Sequence, residues 1–186
     1  WTSLRKKLEL VGLSVVEPEQ LTDEERYWLD GWFDAQIRPA LTPLIIDQTL
    51  PFPFIPNSGL VMALRMARRS NGVLTYGLVL LPQQLDRFVR LPGEAVRFIA
   101  LERLISLYVN IIYPGLDVLG EGLFRILRDR EMHIDEEAED LVQSFEFALQ
   151  QRRLGNVIRL EVESGMPLDL QDLVAIELNV ESADVF

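Results

Sequence analysis

The sequence predicts an α+β fold, in which a mainly antiparallel sheet carries about four helices. Two stretches, Leu60–Met66 and Val157–Glu163, alternate between two faces with the period of a β-strand. Other stretches space their apolar residues as an amphipathic helix does. Because strands and helices are mixed without a regular β-α-β alternation, an antiparallel rather than a parallel sheet is predicted.

The composition indicates a globular protein. The chain has 186 residues, of which 48% are hydrophobic and 25% are charged, and we expect a single domain over 1–186 with a substantial core. No apolar run approaches the roughly 18 residues that a membrane span needs. Cysteine is absent, which excludes disulfides, zinc–thiolate sites and a cysteine nucleophile.

The first residues have the character of a helix that is already under way. The chain opens with Trp1, and the segment Trp1-Thr-Ser-Leu-Arg-Lys-Lys-Leu8 follows. We expect residues 1–12 to be the tail of a linker helix from a preceding N-terminal domain. The chain would then be a piece of a longer polypeptide.

A short strand and a helix are predicted next. Residues 13–16 have the composition of the strand. Thr22 and Glu25 form a capping-box pattern at the start of the helix, and Pro39 ends it. An apolar stripe at helical spacing is predicted to face the core, and its members are Trp28, Leu29, Trp32, Phe33 and Ile37.

A proline-rich segment follows, Leu41-Thr-Pro-Leu-Ile-Ile-Asp47 running into Pro51-Phe-Pro-Phe-Ile-Pro-Asn57. Its alternate prolines remove backbone donors and fix φ, so neither a helix nor a central strand is expected there. Phe52, Phe54 and Ile55 are too apolar to remain in water. We expect them to pack against their own domain or a neighbour, and they are the interface candidates.

A β-hairpin is predicted around Asn71-Gly72, a strong signal for a two-residue turn. This turn would place Ser70 opposite Val73. Two further short strands are predicted around Gly93, at Arg87–Pro92 and Val96–Ile99. The hairpin pairing puts five apolar residues on one face: Met62, Leu64, Met66, Val79 and Leu81.

The second half of the chain is predicted to mix helices and strands. A mainly apolar helix spans Leu101–Ile112, and Gly120-Glu-Gly122 is interpreted as a turn. A strand at Phe124–Arg128 is followed by a helix at 135–155 and a last helix ending at Leu178. Between those two helices, the strand Val157–Glu163 is predicted to turn Ile158, Leu160 and Val162 inward.

The net charge of −11 argues against nucleic acid as a partner. Seven arginines and only three carboxylates nevertheless lie between residues 61 and 104, a local balance of +4. Guanidinium groups suit phosphate and carboxylate alike. Anion binding and surface ion pairs both stay open as interpretations, and ion pairs are favoured. The arginines are Arg65, Arg68, Arg69, Arg87, Arg90, Arg97 and Arg103.

No self-sufficient catalytic constellation is found. His133 is the only histidine, which excludes a two-histidine metal site, and a surface position beside Asp135 and Glu136 is the favoured interpretation. The carboxylates at 129–140 have oxygen ligands of the kind that Mg²⁺ or Ca²⁺ prefers, but not the spacing of a calcium loop. We therefore predict no catalytic residue, no metal site and no cofactor in this chain.

An ordered set of motifs resembles a known family. Together the motifs span nearly the whole chain and resemble the middle, or head, domain of the bacterial type 1 polyphosphate kinases. They are Ile37-Arg-Pro-Ala-Leu-Thr-Pro-Leu44, Pro51-Phe-Pro-Phe-Ile-Pro-Asn57, Arg87-Phe-Val-Arg-Leu-Pro92, Tyr113-Pro-Gly115, Phe124-Arg-Ile-Leu-Arg-Asp129, Asp135-Glu-Glu137, Val157-Ile-Arg-Leu-Glu-Val-Glu163 and Met166-Pro167.

The resemblance implies a cytoplasmic parent enzyme that reversibly transfers the terminal phosphate of ATP to inorganic polyphosphate through a phosphohistidine. In that family the reacting histidine lies in two C-terminal domains, and His133 does not match it. ATP and Mg²⁺ are expected for the parent enzyme, and its association with a membrane stays open. This chain would be the non-catalytic head domain, which helps to form a polyphosphate tunnel and the dimer contacts of a homo-oligomer.

The resemblance also supplies candidates for the tunnel, namely Asn57, Arg87 and Arg90, because a path for a polyanion needs fixed cations and donors. An equally supported interpretation is that these residues tie loops to the sheet. Two rival hypotheses remain. One is a stand-alone interaction module whose apolar segments 51–56 and 101–112 bind another protein, and the other is a metal-dependent enzyme that uses the carboxylates at 129–140.

Overall fold

A computed structural model describes residues 2–46, 49, 51–129, 156–181 and 184–186. The strands are β1 (Leu13–Val16), β2 (Pro43–Ile46), β3 (Leu60–Arg68), β4 (Leu74–Leu80), β5 (Phe88–Arg90), β6 (Val96–Ala100), β7 (Leu116–Arg128) and β8 (Val157–Val162). The α-helices are α1 (Thr2–Leu10), α2 (Asp23–Trp32), α3 (Leu101–Leu107), α4 (Val109–Ile112) and α5 (Leu168–Glu177).

These strands form two sheets. The larger sheet is antiparallel, with the strand order β2-β4-β3-β7-β8, and the smaller one has the order β1-β6-β5. Within the smaller sheet, β1 and β6 run parallel while β5 and β6 run antiparallel. The predicted α+β class is confirmed, and the strands that were expected in one sheet are divided between two.

Strand β3 lies in the middle of the larger sheet and is buried on both faces. Met62, Leu64 and Met66 pack on one face with residues of α2, α3 and α4. Val61 and Ala63 pack on the other face with residues of α5. Successive side chains of a strand point to opposite faces, so the helices must cover this sheet from both sides.

Helix α2 begins at the predicted capping box. The Glu25 N–H donates to Thr22 Oγ1 (3.2 Å), and the Thr22 N–H donates to Glu25 Oε2 (2.9 Å). The chain stays helical beyond α2 through a π-turn (Phe33–Ile37) and a 3₁₀ turn (Arg38–Ala40). Pro39 lies at the start of this 3₁₀ turn, where its missing N–H is tolerated, and the helical stretch ends one residue later.

Only part of the apolar stripe on α2 and its continuation is in the core. Leu29, Phe33 and Ile37 are at most 1% exposed. Trp28 and Trp32 are half-buried at the edge of the core, where they stack with ring centroids 5.8 Å apart. The prediction of two core tryptophans is thus only partly correct, because a surface helix buries a limited arc and the three smaller side chains fill it.

The β3–β4 hairpin has a longer loop than predicted. Met62 pairs with Val79, whereas a two-residue turn would shift this register by two positions. The Arg68 carbonyl accepts hydrogen bonds from the N–H groups of Asn71 and Gly72, and Gly72 has a left-handed φ of +70°, so a four-residue loop closes the hairpin. A shift by two keeps each side chain on its face, and the predicted apolar face is confirmed.

Gly120 and Gly122 lie inside the 13-residue strand β7, so the predicted turn at this position is wrong. A Cβ on Gly122 would lie 2.5 Å from Met166 Cβ and 3.0 Å from Met166 Cα. A Cβ on Gly120 would lie 3.0 Å from Pro167 Cγ. Both glycines therefore allow the start of α5 to approach the sheet closely, a role that their neighbours in sequence do not reveal.

The helix predicted at Leu101–Ile112 is divided in two at Tyr108. Tyr108 has φ −108° and ψ 10°, which ends α3 and starts α4. Its hydroxyl donates to Asp30 Oδ1 (2.7 Å), and its ring stacks on Phe33 with centroids 4.1 Å apart. These contacts with α2 and its continuation hold the side chain at the break between the two helices.

Strand β8 contains an extra residue opposite Leu127 and Arg128, which makes Ile158 a β-bulge. The bulge turns Ile158 outward, 53% exposed, so its predicted inward position is wrong. Leu160 is fully buried, as predicted. The helix predicted at 135–155 lies outside the described residues.

Replacing Gly122 with alanine is expected to destabilise the protein by about 1–3 kcal/mol, because the new Cβ would overpack against Met166. Urea denaturation measures the change in the free energy of unfolding. Gly31→Ala is the matched control, since a Cβ there meets no atom within 4 Å and alanine is the better helix former. An unchanged midpoint for Gly122→Ala would contradict this packing.

Glu25 is expected to make stability depend on pH. Burial alone would raise its pKa, but hydrogen bonds from Arg97 (Nε to Oε1, 2.7 Å) and from Thr22 hold the pKa of this carboxyl below its ordinary value of 4.5. A lowered pKa adds stability above the unfolded-state value, and this contribution is lost as the pH falls through the folded-state pKa. The difference in free energy of unfolding between wild type and Glu25→Gln should therefore be largest near neutral pH and shrink in acid.

Denaturation at a series of pH values measures this difference. Glu24→Gln is the control, because Glu24 is an exposed residue in the same helical turn. A stability difference for Glu25→Gln that stays constant from neutral to strongly acidic pH would show that the ion pair does not act as described.

Candidate functional site

A cleft of about 610 Å³ lies between the two sheets. We call it the inter-sheet cleft. One wall is formed by β1, β5 and the start of α3, and the other by β7 and β8. Its volume falls within the range of small-molecule sites. Its charged residues are Glu17, Arg87, Glu102, Arg103, Arg125, Glu161 and Glu163, and its apolar residues include Val15, Phe88, Leu123 and Val162.

Each arginine of the inter-sheet cleft is bound to a carboxylate. Three arginines and four glutamates line the cleft, so its formal charge is slightly negative. A guanidinium has five N–H donors, and a single carboxylate uses one or two of them. The ion pairs are Arg87 Nη2–Glu102 Oε1 (2.7 Å), Arg103 Nη2–Glu163 Oε1 (2.6 Å) and Arg125 Nε–Glu161 Oε2 (2.9 Å).

Glu102 is the most deeply buried charged residue of the cleft, with 8% of its surface exposed. Its Oε1 accepts the hydrogen bond from Arg87. Its Oε2 is buried and has no hydrogen-bond donor among the residues that the structure describes. Buried carboxylate oxygens are normally satisfied, and an unsatisfied one costs stability.

Arg103 connects the two walls of the cleft. It binds Glu163 at the end of β8, and its Nε lies 3.6 Å from Glu17 Oε2 after β1. Burial alone would lower the pKa of this guanidinium, but the carboxylates of Glu163, Glu17 and Glu121 raise it instead. Arg103 therefore stays charged and links the two walls of the cleft through these ion pairs.

The three tunnel candidates are not gathered in one place. Arg87 lines the inter-sheet cleft. Asn57 precedes Ser58, a residue of the cleft, and its Oδ1 accepts a hydrogen bond from the Arg128 N–H (3.0 Å), which ties the proline-rich segment to the end of β7. Arg90 is exposed at the end of β5 and does not line the cleft.

The three interface candidates differ in exposure. Ile55 is fully buried in the core beside α5, and Phe52 is half-buried. Phe54 is 49% exposed, and the guanidinium carbon of Arg128 lies 5.2 Å from its ring centroid, a cation–π contact. Of these three side chains, Phe54 is the one that presents a large apolar surface to the outside.

Ion pairs account for five of the seven arginines between residues 61 and 104, which supports the favoured interpretation of that region. Arg68 and Arg90 have no ion pair with any carboxylate in the described ranges. The five pairs are Arg65–Asp169, Arg69–Asp117, Arg87–Glu102, Arg97–Glu25 and Arg103–Glu163.

Glu102 and Arg125 are residues of the cleft that sequence analysis did not identify as site residues. Glu102 had a weak signal, since it is the one carboxylate of α3 and lies in the first turn of a mainly apolar helix. Arg125 faces Glu161 across the β7–β8 pair, and that register is not readable from either strand alone.

Two other properties of the described residues bear on function. They include no group of three or more histidine, cysteine, aspartate or glutamate residues placed to bind a metal ion. None of the helices that the structure describes combines the length and the apolar composition that spanning a bilayer requires. His133 and the carboxylates at 130–140 lie outside this part of the chain, so the metal hypothesis for that run stays a hypothesis.

Comparisons of the sequence with a family profile and with known proteins agree with one another. A family profile described as "Polyphosphate kinase middle domain" matches residues 24–186. The chain is 40% identical over 183 residues to a polyphosphate kinase of Erythrobacter litoralis and 35% identical over 189 residues to one of Mycolicibacterium gilvum. These alignments cover 98% of this chain but 25% and 26% of the relatives. The chain thus spans about a quarter of their length.

A solved structure agrees with the sequence comparison. The crystal structure of the polyphosphate kinase from Porphyromonas gingivalis matches with a TM-score of 0.79 over 100% of this chain and 26% of that chain. The sequence identity is 19%, so this likeness concerns the fold alone. From the profile and the sequence relatives together, the chain belongs to the polyphosphate kinase family and corresponds to its middle domain.

Proposed function

We propose that this chain is the middle domain of an enzyme that transfers the terminal phosphate of ATP to inorganic polyphosphate. The observation that carries the proposal is the match of 98% of the chain to relatives named polyphosphate kinase, of which it forms about a quarter. In this proposal ATP and Mg²⁺ bind to other domains of a cytoplasmic parent enzyme.

The domain itself is proposed to be non-catalytic. Transfer through a phosphohistidine needs a reactive histidine, and the single histidine of this chain, His133, does not match the family's motif. The charged side chains of the inter-sheet cleft are bound to one another in ion pairs. Such pairing supports a role in structure and binding more than in acid–base chemistry.

Arg90, Arg87 and Asn57 are proposed to contact polyphosphate where it passes the middle domain. Arg90 has the strongest support, because it is exposed and can meet a phosphate group without breaking an ion pair to a described carboxylate. Arg87 would have to share its guanidinium with Glu102. Asn57 already accepts a hydrogen bond from the backbone, so its amide N–H groups would make the contact.

Contacts with other domains, or with a second copy in a homo-oligomer, are proposed at Phe54. Its exposed ring beneath the Arg128 guanidinium resembles the aromatic and arginine pairs that are enriched in interfaces. The same surface would serve the alternative function, a stand-alone interaction module. A kinase assay of the full-length protein separates the two functions.

Replacing Arg90 with alanine in the full-length enzyme is expected to raise the KM for polyphosphate about three- to tenfold with little change in kcat, because a charge-assisted contact to bound substrate is lost. Arg87→Ala should have a smaller effect, since Arg87 is already paired. Steady-state kinetics with varied polyphosphate measures both. Arg68→Ala is the matched control, because Arg68 is an exposed arginine at the end of β3 that, like Arg90, pairs with no described carboxylate. An unchanged KM for Arg90→Ala would remove Arg90 from the substrate path.

The 186-residue chain alone is expected to show no phosphate transfer from ATP to polyphosphate in the presence of Mg²⁺. The full-length protein is the positive control in the same assay, which follows the formation of ADP and of longer polyphosphate. Transfer by the chain alone would overturn its non-catalytic role. Absence of transfer by the full-length protein would overturn the proposed parent activity.

A further inference from the structure

The wall of the inter-sheet cleft includes a buried acceptor that the proposed function does not use. Glu102 is 8% exposed, and its buried Oε2 has no donor among the described residues. Apolar side chains and three arginines line the same cleft. We infer that the inter-sheet cleft binds a small phosphate ester with free hydroxyl groups, of the kind found in sugar phosphates and nucleotides.

Glu102 is the group that would recognise a hydroxyl. An ionised carboxylate only accepts hydrogen bonds, so the ligand must supply the donor. Oε2 is covered in the structure, and the last torsion of a glutamate is broad, so a hydroxyl would reach it through a rotation of the carboxylate on binding. A hydroxyl fits better than an ammonium group, because the Arg87 guanidinium 2.7 Å from the same carboxylate would repel a second cation.

Arg103 and Arg125 are the groups that would hold the phosphate. Their side chains are 38% and 47% exposed, and they come from opposite walls of the cleft. Each is bound to a glutamate, yet each guanidinium has further N–H donors for a phosphate oxygen. A phosphate group held between these two walls would therefore leave both ion pairs with glutamate in place.

The apolar part of the cleft would contact the carbon skeleton of the ligand. Phe88 is 41% exposed on the β5 wall, and Val15 and Leu123 also line the cleft. Inorganic polyphosphate has no carbon-bound hydroxyl, so it would meet the arginines of this cleft and leave Glu102 without a donor. The inference therefore goes beyond the proposed function, although Arg87 has a part in both.

Calorimetric titration of the full-length protein with ribose 5-phosphate, AMP and inorganic phosphate tests the inference. At least one of the two esters is expected to bind about tenfold or more tightly than inorganic phosphate, as a hydrogen bond to a charged group allows. Glu102→Gln should remove most of this preference. Glu94→Gln, at an exposed position between β5 and β6, should keep it.

Arg125→Met provides a second variant that leaves Glu102 unchanged and should weaken binding of the esters and of phosphate alike, even if Glu102→Gln does not fold. Tighter binding of AMP would assign the site to nucleotides, and equal binding of the two esters would assign it to sugar phosphates. The inference is overturned if inorganic phosphate binds as tightly as both esters, if no ester binds at millimolar concentration, or if ester binding survives unchanged in Glu102→Gln and Arg125→Met.

Discussion

The burial of β3 on both faces is the constraint on which the rest of this structure depends. Val61, Leu64 and Met66 are all fully buried, although they do not point the same way. A strand of this kind needs apolar elements packed on both faces, and segments far apart in sequence supply them. Helices α2 to α4 cover one face, while α5 and Ile55 cover the other. The rigid proline-rich segment is thus partly a component of the core.

Local patterns predicted the elements better than their packing. The capping box at Thr22, the alternation along β3 and the helical spacing in α2 act within a few residues, and all three are present in the structure. The errors arise where a distant residue decides the outcome. The sequence around Gly122 indicates a turn, but this glycine lies in a strand and makes room for the distant Met166. The break at Tyr108 is likewise held by a contact with the distant Asp30.

The candidate site was harder to predict because it forms where two sheets meet. Sequence analysis counted Arg87 among the arginines of a region with a charge of +4 and named it a tunnel candidate through the family resemblance. In the structure the formal charge around Arg87 is slightly negative, because Glu17, Glu161 and Glu163 come from outside that region to line the same cleft. The charge of one stretch of the chain therefore included two of the three arginines of this site, Arg87 and Arg103, but missed Arg125 and most of the carboxylates that neutralise them.

The close approach of Gly122 and Met166 has an evolutionary consequence. The space beside Gly122 on β7 is filled by Met166 down to its Cβ and backbone Cα atoms. A smaller residue at 166 would keep this Cα, so a side chain at 122 requires the start of α5 to move away from the sheet. A residue other than glycine at this position in a relative would then indicate a last helix that lies farther from the sheet, without a structure of that relative.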